Sequence, residues 1–276
     1  MPLRAASFIV TVYGDMVVPR GEVLWMGNLI DICGRVGISE SLVRTAASRL
    51  VQGGQLVGEK VGRRSYYRLA PDARAEFTNV ARLIYAAPKD PVGWIVLHAP
   101  DVSEDVAKRL RLGRIENGVF LTPDHGQAPH PGTVFRLPLG GVTPARAAAD
   151  YWPLDRIAER YQALVDIFAP LENRARELGG ADALIARLLL VEAYRRAVLA
   201  DPLLPTAALP DGWIGKQARA LFSLLYIQLS CAADDYIGAN LEGESGRLPA
   251  ETDVTRQRLA QLSTEASAQS FDLASK

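Results

Sequence analysis

The sequence predicts an α+β protein: an N-terminal winged helix-turn-helix, a small ferredoxin-like middle domain and a helical C-terminal domain. Three observations carry that expectation. Residues 36–69, VGISESLVRTAASRLVQGGQLVGEKVGRRSYYRL, read as a tight turn, a two-faced helix and a basic hairpin. Residues 94–137 run strand, helix, strand, strand. Residues 146–238 repeat apolar side chains at helical spacing. The domain limits that follow are 1–85, 86–145 and 146–238, with a polar tail, 239–276, expected to be flexible apart from a short helix near 254–262.

Within the first domain, Ser7 to Tyr13 is a short apolar element ended by Gly14-Asp15. Pro19, Arg20 and Gly21 turn the chain into a second helix, expected from Glu22 to Arg35, with Trp25, Leu29 and Ile32 as its core stripe. Gly37 starts the turn into the third helix. Ser39 is a good N-cap there, because its hydroxyl can accept from an orphan N–H of the first turn. Ile38 and Val43 occupy hydrophobic-staple positions, and Glu40 suits the positive end of the helix dipole. At about 100° per residue, Leu42, Val43, Ala46, Ala47 and Leu50 share one side. Ser41, Arg44, Thr45, Ser48 and Gln52 share the other, with Arg49 at the border. Gly53 and Gly54 stop the helix. A further helix, Pro71 to Tyr85, leads out of the domain.

Taken alone, the third helix is equally an ordinary amphipathic helix with a solvated face. The hairpin behind it changes the balance. Leu56, Val57, Val61 and the pair Tyr66, Tyr67 mark two strands, and Gly62 with Arg63 and Arg64 makes the turn. A hairpin tip needs glycine but not two arginines. Lys60, Arg63, Arg64 and Arg68 in one hairpin fit phosphate contact or minor-groove entry. The set expected to touch double-stranded DNA is Arg20, Ser39, Ser41, Arg44, Thr45, Ser48, Arg49, Lys60, Arg63, Arg64 and Tyr66.

In the middle segment, Trp94-Ile95-Val96-Leu97, Val119-Phe120-Leu121 and Val134-Phe135-Arg136-Leu137 read as strands. Ser103 caps a basic helix that runs to Leu112. Pro123, Gly126, Pro129, Pro131 and Gly132 mark a loop. In the C-terminal half, Ile157, Tyr161, Leu164, Phe168 and Leu171 form one helical stripe, bent or ended at Pro170. Leu184, Leu188, Val191 and Arg195 start a second, and Ala218, Leu221, Phe222, Leu225 and Leu229 a third. The proline-rich stretch Asp201 to Gly215 joins the last two.

With 276 residues, about half of them hydrophobic, the chain can hold two or three domains. It carries 31 basic and 31 acidic residues. Residues 1–70 hold nine Arg or Lys against five Asp or Glu, and the remainder twenty-two against twenty-six. A basic head on an acidic body favours docking through one end. The start lacks a charged region followed by an apolar run, and no stretch has the apolar length of a membrane span. Cys33 and Cys231 lie far apart in apolar helical surroundings and read as buried thiols of a reducing compartment. A cytoplasmic protein is expected.

These residues resemble the PaaX family of bacterial transcriptional repressors. The resemblance is carried by SFIVTVYGDMVVPRGEVLW (7–25), GISESLVRTAASRL (37–50), VGRRSYYRL (61–69) and YWPLDRIAERY (151–161). It is strongest in YRRAVLADPLLPTAALPDGWIGKQARALFSLLY (194–226). The wing and the DPLLP…LP..W.G segment are its specific parts. The family departs from this chain at Gln55 and at Pro153. The resemblance implies a three-part architecture whose middle domain is like the ferredoxin-like fold of CRISPR-associated endoribonucleases. It implies repression of an aromatic-compound catabolic operon, as in phenylacetate degradation. It also implies release from the operator by a small-molecule inducer such as phenylacetyl-CoA. Other members serve other aromatic or heterocyclic pathways.

Tyr194, Arg195, Arg196, Trp213, Lys216 and Arg219 cluster around the proline-rich connector. Arginine and lysine suit a carboxylate or CoA phosphates, and tryptophan and tyrosine an aromatic acyl group. They are the candidate effector-binding residues. The competing reading is that Arg195 and Arg219 make ion pairs and Trp213 plugs a helix junction. No catalytic constellation is present: there is no phosphate-cradling glycine loop and no nucleophile elbow. His125, His130 and Asp124 could ligate zinc but read more simply as a solvated loop. A metal-dependent nuclease acting through the middle domain is the less favoured alternative, and it would need more acids there than Asp101, Glu104 and Asp105 supply. No cofactor, no metal and no membrane partner is expected. A homodimer on a palindromic operator is, with half-sites about 34 Å apart or a multiple of that. Sequence leaves open repressor against activator, and a different pathway with a non-CoA effector.

Overall fold

The computed structural model of the chain describes residues 3–126, 131–139 and 150–274. It is α+β, with helices and antiparallel sheets. The chain forms two compact units that do not follow sequence order. The first joins Met1–Ala87 with Leu164–Arg195 and Arg219–Lys276, and the second joins Pro88–Ala163 with Arg196–Ala218.

In the first unit, α1 (Ala5–Val12) does not end at Gly14-Asp15. It continues through a π-turn, Tyr13–Val17, and a 3₁₀ turn, Val18–Arg20. Phe8, Ile9, Val12, Tyr13, Met16 and Val17 are completely buried along it. The chain then reverses at Gly21 (φ 102°) and Glu22 (φ 67°). Here the structure corrects the sequence reading. Val23–Trp25 is a strand, β1, and the second helix, α2, starts at Met26 and ends at Arg35. The reason is non-local: Val23, Leu24 and Trp25 pair antiparallel with Arg68, Tyr67 and Tyr66.

The third helix, α3 (Glu40–Gln52), follows after a turn at Gly37 (φ 79°). It leads into β2 (Leu56–Val61) and β3 (Arg64–Leu69). The sheet order is β1-β3-β2. Then come a 3₁₀ turn at Pro71–Ala73 and α4 (Arg74–Tyr85).

In the second unit, β4 (Gly93–His98) leads through α5 (Glu104–Arg109) to β5 (Gly113–Glu116), β6 (Val119–Asp124) and β7 (Thr133–Pro138). All pairings are antiparallel, in the order β5-β6-β4-β7. The crossover therefore places β5 two positions from β4, and β6 fills the gap. Ser103 caps α5 by accepting from Val106 N–H at 3.4 Å. Ile95, Leu97, Ala99, Ala107, Leu112 and Phe120 close the core between α5 and the sheet. Trp152 stacks near Trp94 (6.5 Å between centroids) and donates from Nε1 to the Arg111 carbonyl at 2.9 Å.

Three helices follow: α6 (Leu154–Phe168), α7 (Gly180–Val198) and α8 (Ile214–Asn240). A short hairpin follows, β8 (Glu242–Gly243) with β9 (Gly246–Arg247). The last helix is α9 (Asp253–Ala274). The expected flexible tail is thus corrected. Thr252 and Thr255 cap α9 reciprocally, each N–H donating to the other's hydroxyl at 2.9 and 3.3 Å. Thr255, Arg258 and Leu262 are buried.

What α9 covers in the first unit is a buried polar cluster. Arg187 on α7 donates to Asp15 at 3.1 Å and to Asp234 at 2.6 Å. Tyr85 and Tyr226 donate to Asp15 at 2.8 and 2.9 Å. Arg258 donates to the Asp15 carbonyl at 3.0 Å and lies 4.1 Å over the Tyr85 ring. Burial alone would raise the Asp15 pKa. Arg187, Arg258 and the two tyrosine hydroxyls outweigh it and hold the carboxyl below its ordinary range. Arg187 Nη2 has no hydrogen-bond partner among the described residues.

Candidate nucleic-acid interface

The strongest exposed constellation is α3 with the β2–β3 hairpin. Ser39 caps α3 as its residue type requires: its backbone is extended (ψ 152°) and its Oγ accepts from Leu42 N–H at 3.4 Å. Ile38 and Val43, on either side of the cap, are both buried. Val43, Ala46, Ala47 and Leu50 form the inward face, and the alanines let α1 pack close. The helix stops where Gly54 takes φ 68° and Gln55 N–H returns to the Leu50 carbonyl at 2.9 Å.

The outward face carries Ser41, Arg44, Thr45, Ser48 and Arg49, all exposed. Arg44 is held along the helix by Glu40 at 2.8 Å, and Thr45 Oγ1 donates to the Ser41 carbonyl at 2.9 Å. Hydroxyls and guanidiniums on one open helix face are the groups that pair with base edges and phosphates. Leu42 departs from the sequence reading. It belongs with the outward face, 55% exposed. The buried stripe is only as wide as α1 needs, and position 42 falls beyond its edge.

The hairpin turns through Gly62-Arg63 between the paired residues Val61 and Arg64. Gly62 has φ 61°, the positive value a two-residue turn of type II′ requires at that place. Lys60, Arg63 and Arg64 are exposed around the tip. Arg64 lies 4.5 Å from the Trp25 ring centroid, and hydrogen bonds to Tyr66 and Glu242 hold its guanidinium above its ordinary pKa.

Nine of the eleven residues expected at the interface are therefore exposed on α3, at its N-cap or on the hairpin. Two are corrected. Arg20 is 3% exposed, paired with Asp234 at 2.7 Å and donating to the Met16, Pro249 and Ala250 carbonyls. Such a group cannot also reach a ligand. Tyr66 is 8% exposed, because its strand position points to the core side of the sheet. Sequence reasoning missed Glu242 and Glu244, which meet Arg64 and Arg68. The signal was legible in LEGESGRL, where glycines alternate with acids between two buried leucines.

The six candidate effector residues divide between the two units. In the first, Tyr194 is buried and stacks on Phe222 (4.3 Å, 17°). Arg195 donates to Glu192, Ser7 and Thr11 within 3.1 Å. Arg219 is paired with Glu265 at 2.6 Å and bonded to the Ile84 and Ala86 carbonyls. The ion-pair reading weighed for Arg195 and Arg219 is the one realised. In the second unit, Trp213 meets Tyr161 edge-on at 6.2 Å, Lys216 is exposed and Arg196 half-buried.

No group of three or more His, Cys, Asp or Glu placed to hold a metal ion occurs among the described residues. His130 lies outside them. Asp124 is engaged by Arg136 at 3.0 Å, and burial pushes the His125 imidazole below its ordinary pKa. Cys33 is buried and its thiol pushed up to about 12, whereas Cys231 is exposed on α8 beside Asp235, correcting the expectation of two buried thiols. Among the described residues no helix is long and apolar enough to cross a membrane.

A family model described as PaaX-like protein matches residues 4–73, and one described as PaaX-like protein C-terminal domain matches residues 152–239. The transcriptional repressor PaaX of Escherichia coli (strain K12) is 30% identical over 293 aligned positions, covering 96% of this chain and 93% of that protein. The fold is similar to the solved structure of an uncharacterized protein from Mycobacterium tuberculosis. The TM-score is 0.54 at 22% identity, over 85% of this chain and 99% of the other.

Proposed function

The chain belongs to the PaaX-like family, and from that premise we propose that it is a sequence-specific transcriptional repressor of an aromatic-compound catabolic operon. The observation that carries this is the open face of α3 (Ser41, Arg44, Thr45, Ser48, Arg49) beside a hairpin tip bearing Lys60 and Arg63. In this reading α2, α3 and the hairpin are a winged helix-turn-helix. α3 lies in the major groove, and the tip reaches the backbone or minor groove. The strand order β5-β6-β4-β7 with the α5 crossover supports a ferredoxin-like middle domain.

The protein acts in the cytoplasm as a two-fold dimer on a palindromic operator, not as an enzyme. An inducer such as phenylacetyl-CoA or a related catabolite lowers operator affinity by binding the two functional states unequally. Because ion pairs hold Arg195 and Arg219, Trp213 and the exposed Lys216 are the better remaining candidates for an aromatic, anionic effector. A gel-shift titration against the chain's own upstream DNA tests the proposal. Specific retardation that phenylacetyl-CoA reverses is expected. Equal binding to unrelated DNA would remove the operator role, and specific binding indifferent to the CoA ester would remove that inducer.

A further inference from the structure

Two of the hairpin's arginines are already occupied. Arg64 Nη1 donates to Glu242 Oε2. Arg68 Nη2 donates to Glu244 Oε2 at 2.9 Å and to Glu59 Oε2 at 2.6 Å. Lys60 and Arg63, on the same hairpin, have no ion-pair partner among the described residues.

Glu242 and Glu244 come from the β8–β9 hairpin, and that hairpin is fixed in place. Its Glu242 N–H donates to Asn28 Oδ1 at 2.8 Å, so α2 holds it from one side. Leu248 anchors the other side, buried and donating from N–H to the Leu241 carbonyl at 2.9 Å. Gly243 lies so close to β1 that a Cβ there would stand 3.1 Å from the Val23 carbonyl oxygen. The acids are therefore presented to the arginines by a built element.

Carboxylate and phosphate oxygens meet a guanidinium with the same fork geometry. The four side chains in the Arg64–Glu242 and Arg68–Glu244 pairs are 37–49% exposed. Exposed pairs are weak in water, so a polyanion can displace them. We propose that Arg64 and Arg68 are backbone-phosphate sites of the wing, and that the Glu242–Glu244 hairpin is an internal phosphate mimic that occupies them until DNA displaces it. This rests on the DNA-docking reading above. The mimic lowers affinity for every sequence alike and leaves base readout by α3 as the larger share of what holds the protein on its operator.

The test is a fluorescence-anisotropy titration of the full chain at several salt concentrations, on its own upstream DNA and on a scrambled duplex. The Glu242→Gln/Glu244→Gln variant is compared with wild type. Glu251→Gln is the control, because it removes one of the acidic charges of the same segment, but one that pairs with Arg256 and not with a wing arginine. The double variant should bind both duplexes about three- to tenfold more tightly, and Glu251→Gln should not. Arg64→Ala should then cost more in the double variant than in wild type. Unchanged or weaker binding by the double variant, with wild type binding normally, overturns the mimic. No binding by either protein removes the DNA-docking reading and the mimic with it.

Discussion

The guanidinium of Arg20 and the carboxylate of Asp234 meet at 2.7 Å across 214 residues of sequence, and almost none of either is exposed. Asp234 is shared with Arg187, which also holds Asp15. The segment ahead of β1 is thus tied to α7 and α8 by charge. Truncating one member leaves the others buried and uncompensated. Arg20→Ala should lower stability by about 3–5 kcal/mol, read by chemical denaturation. A loss of DNA affinity without loss of stability would instead return Arg20 to the interface.

The same cluster sets an acid limit. The folded-state pKa of Asp15 is held below its unfolded value, which is about 4. Its contribution to stability is therefore fully present above about pH 4 and is lost as pH falls through the folded value. Asp15→Asn should cost stability at neutral pH, and its difference from wild type should shrink on acidification below about pH 4. A constant difference down to pH 2 would contradict the assignment.

Arg44 and Arg63 should behave differently. Arg44→Ala on the α3 face should cost about 1–3 kcal/mol on operator DNA and little on scrambled DNA. Arg63→Ala at the hairpin tip should weaken both duplexes alike and reduce the salt slope by about one. Equal losses on both duplexes for Arg44→Ala would make it a phosphate contact only.

Leu42 adds an apolar contact to an otherwise polar face. It suits the C5-methyl of thymine. Replacing operator thymines by uracil removes only methyl groups. Wild type should lose about 0.8 kcal/mol, roughly fourfold, per contacted methyl, and Leu42→Ala should be insensitive to the exchange. Equal sensitivity in both proteins would sink the assignment.

Arg219 and Lys216, three residues apart, should separate scaffold from effector chemistry. Arg219→Ala breaks a buried pair with Glu265 and should destabilise by about 3–5 kcal/mol. Lys216 is exposed, and Lys216→Ala should leave stability within about 0.5 kcal/mol. It should weaken inducer release in the gel shift. Unchanged release would take Lys216 out of the effector site.

Local chemistry was readable in the sequence and long-range pairing was not. Ser39, Gly53-Gly54 and Gly62-Arg63 each act through neighbours a few residues away, so α3 and its hairpin could be read directly. β1 has three residues and no periodicity, and it exists because β3 pairs with it. Arg20 reads as a surface cation until Asp234 is placed beside it. The buried side of α9 mixes Leu262 with Thr255 and Arg258, and Arg258 is seated by bonding to the Asp15 and Gly14 carbonyls, partners 243 and 244 residues away. Leu42 sits one position outside a stripe whose width only the packing partner sets.

The ratio of affinities for operator and scrambled DNA, measured by competition at about 0.15 M salt, tests the central claim most directly. If the α3 face reads sequence, the chain's own upstream DNA should outcompete scrambled duplex by about a thousandfold or more. A ratio near one, with both duplexes bound through charge alone, would contradict it.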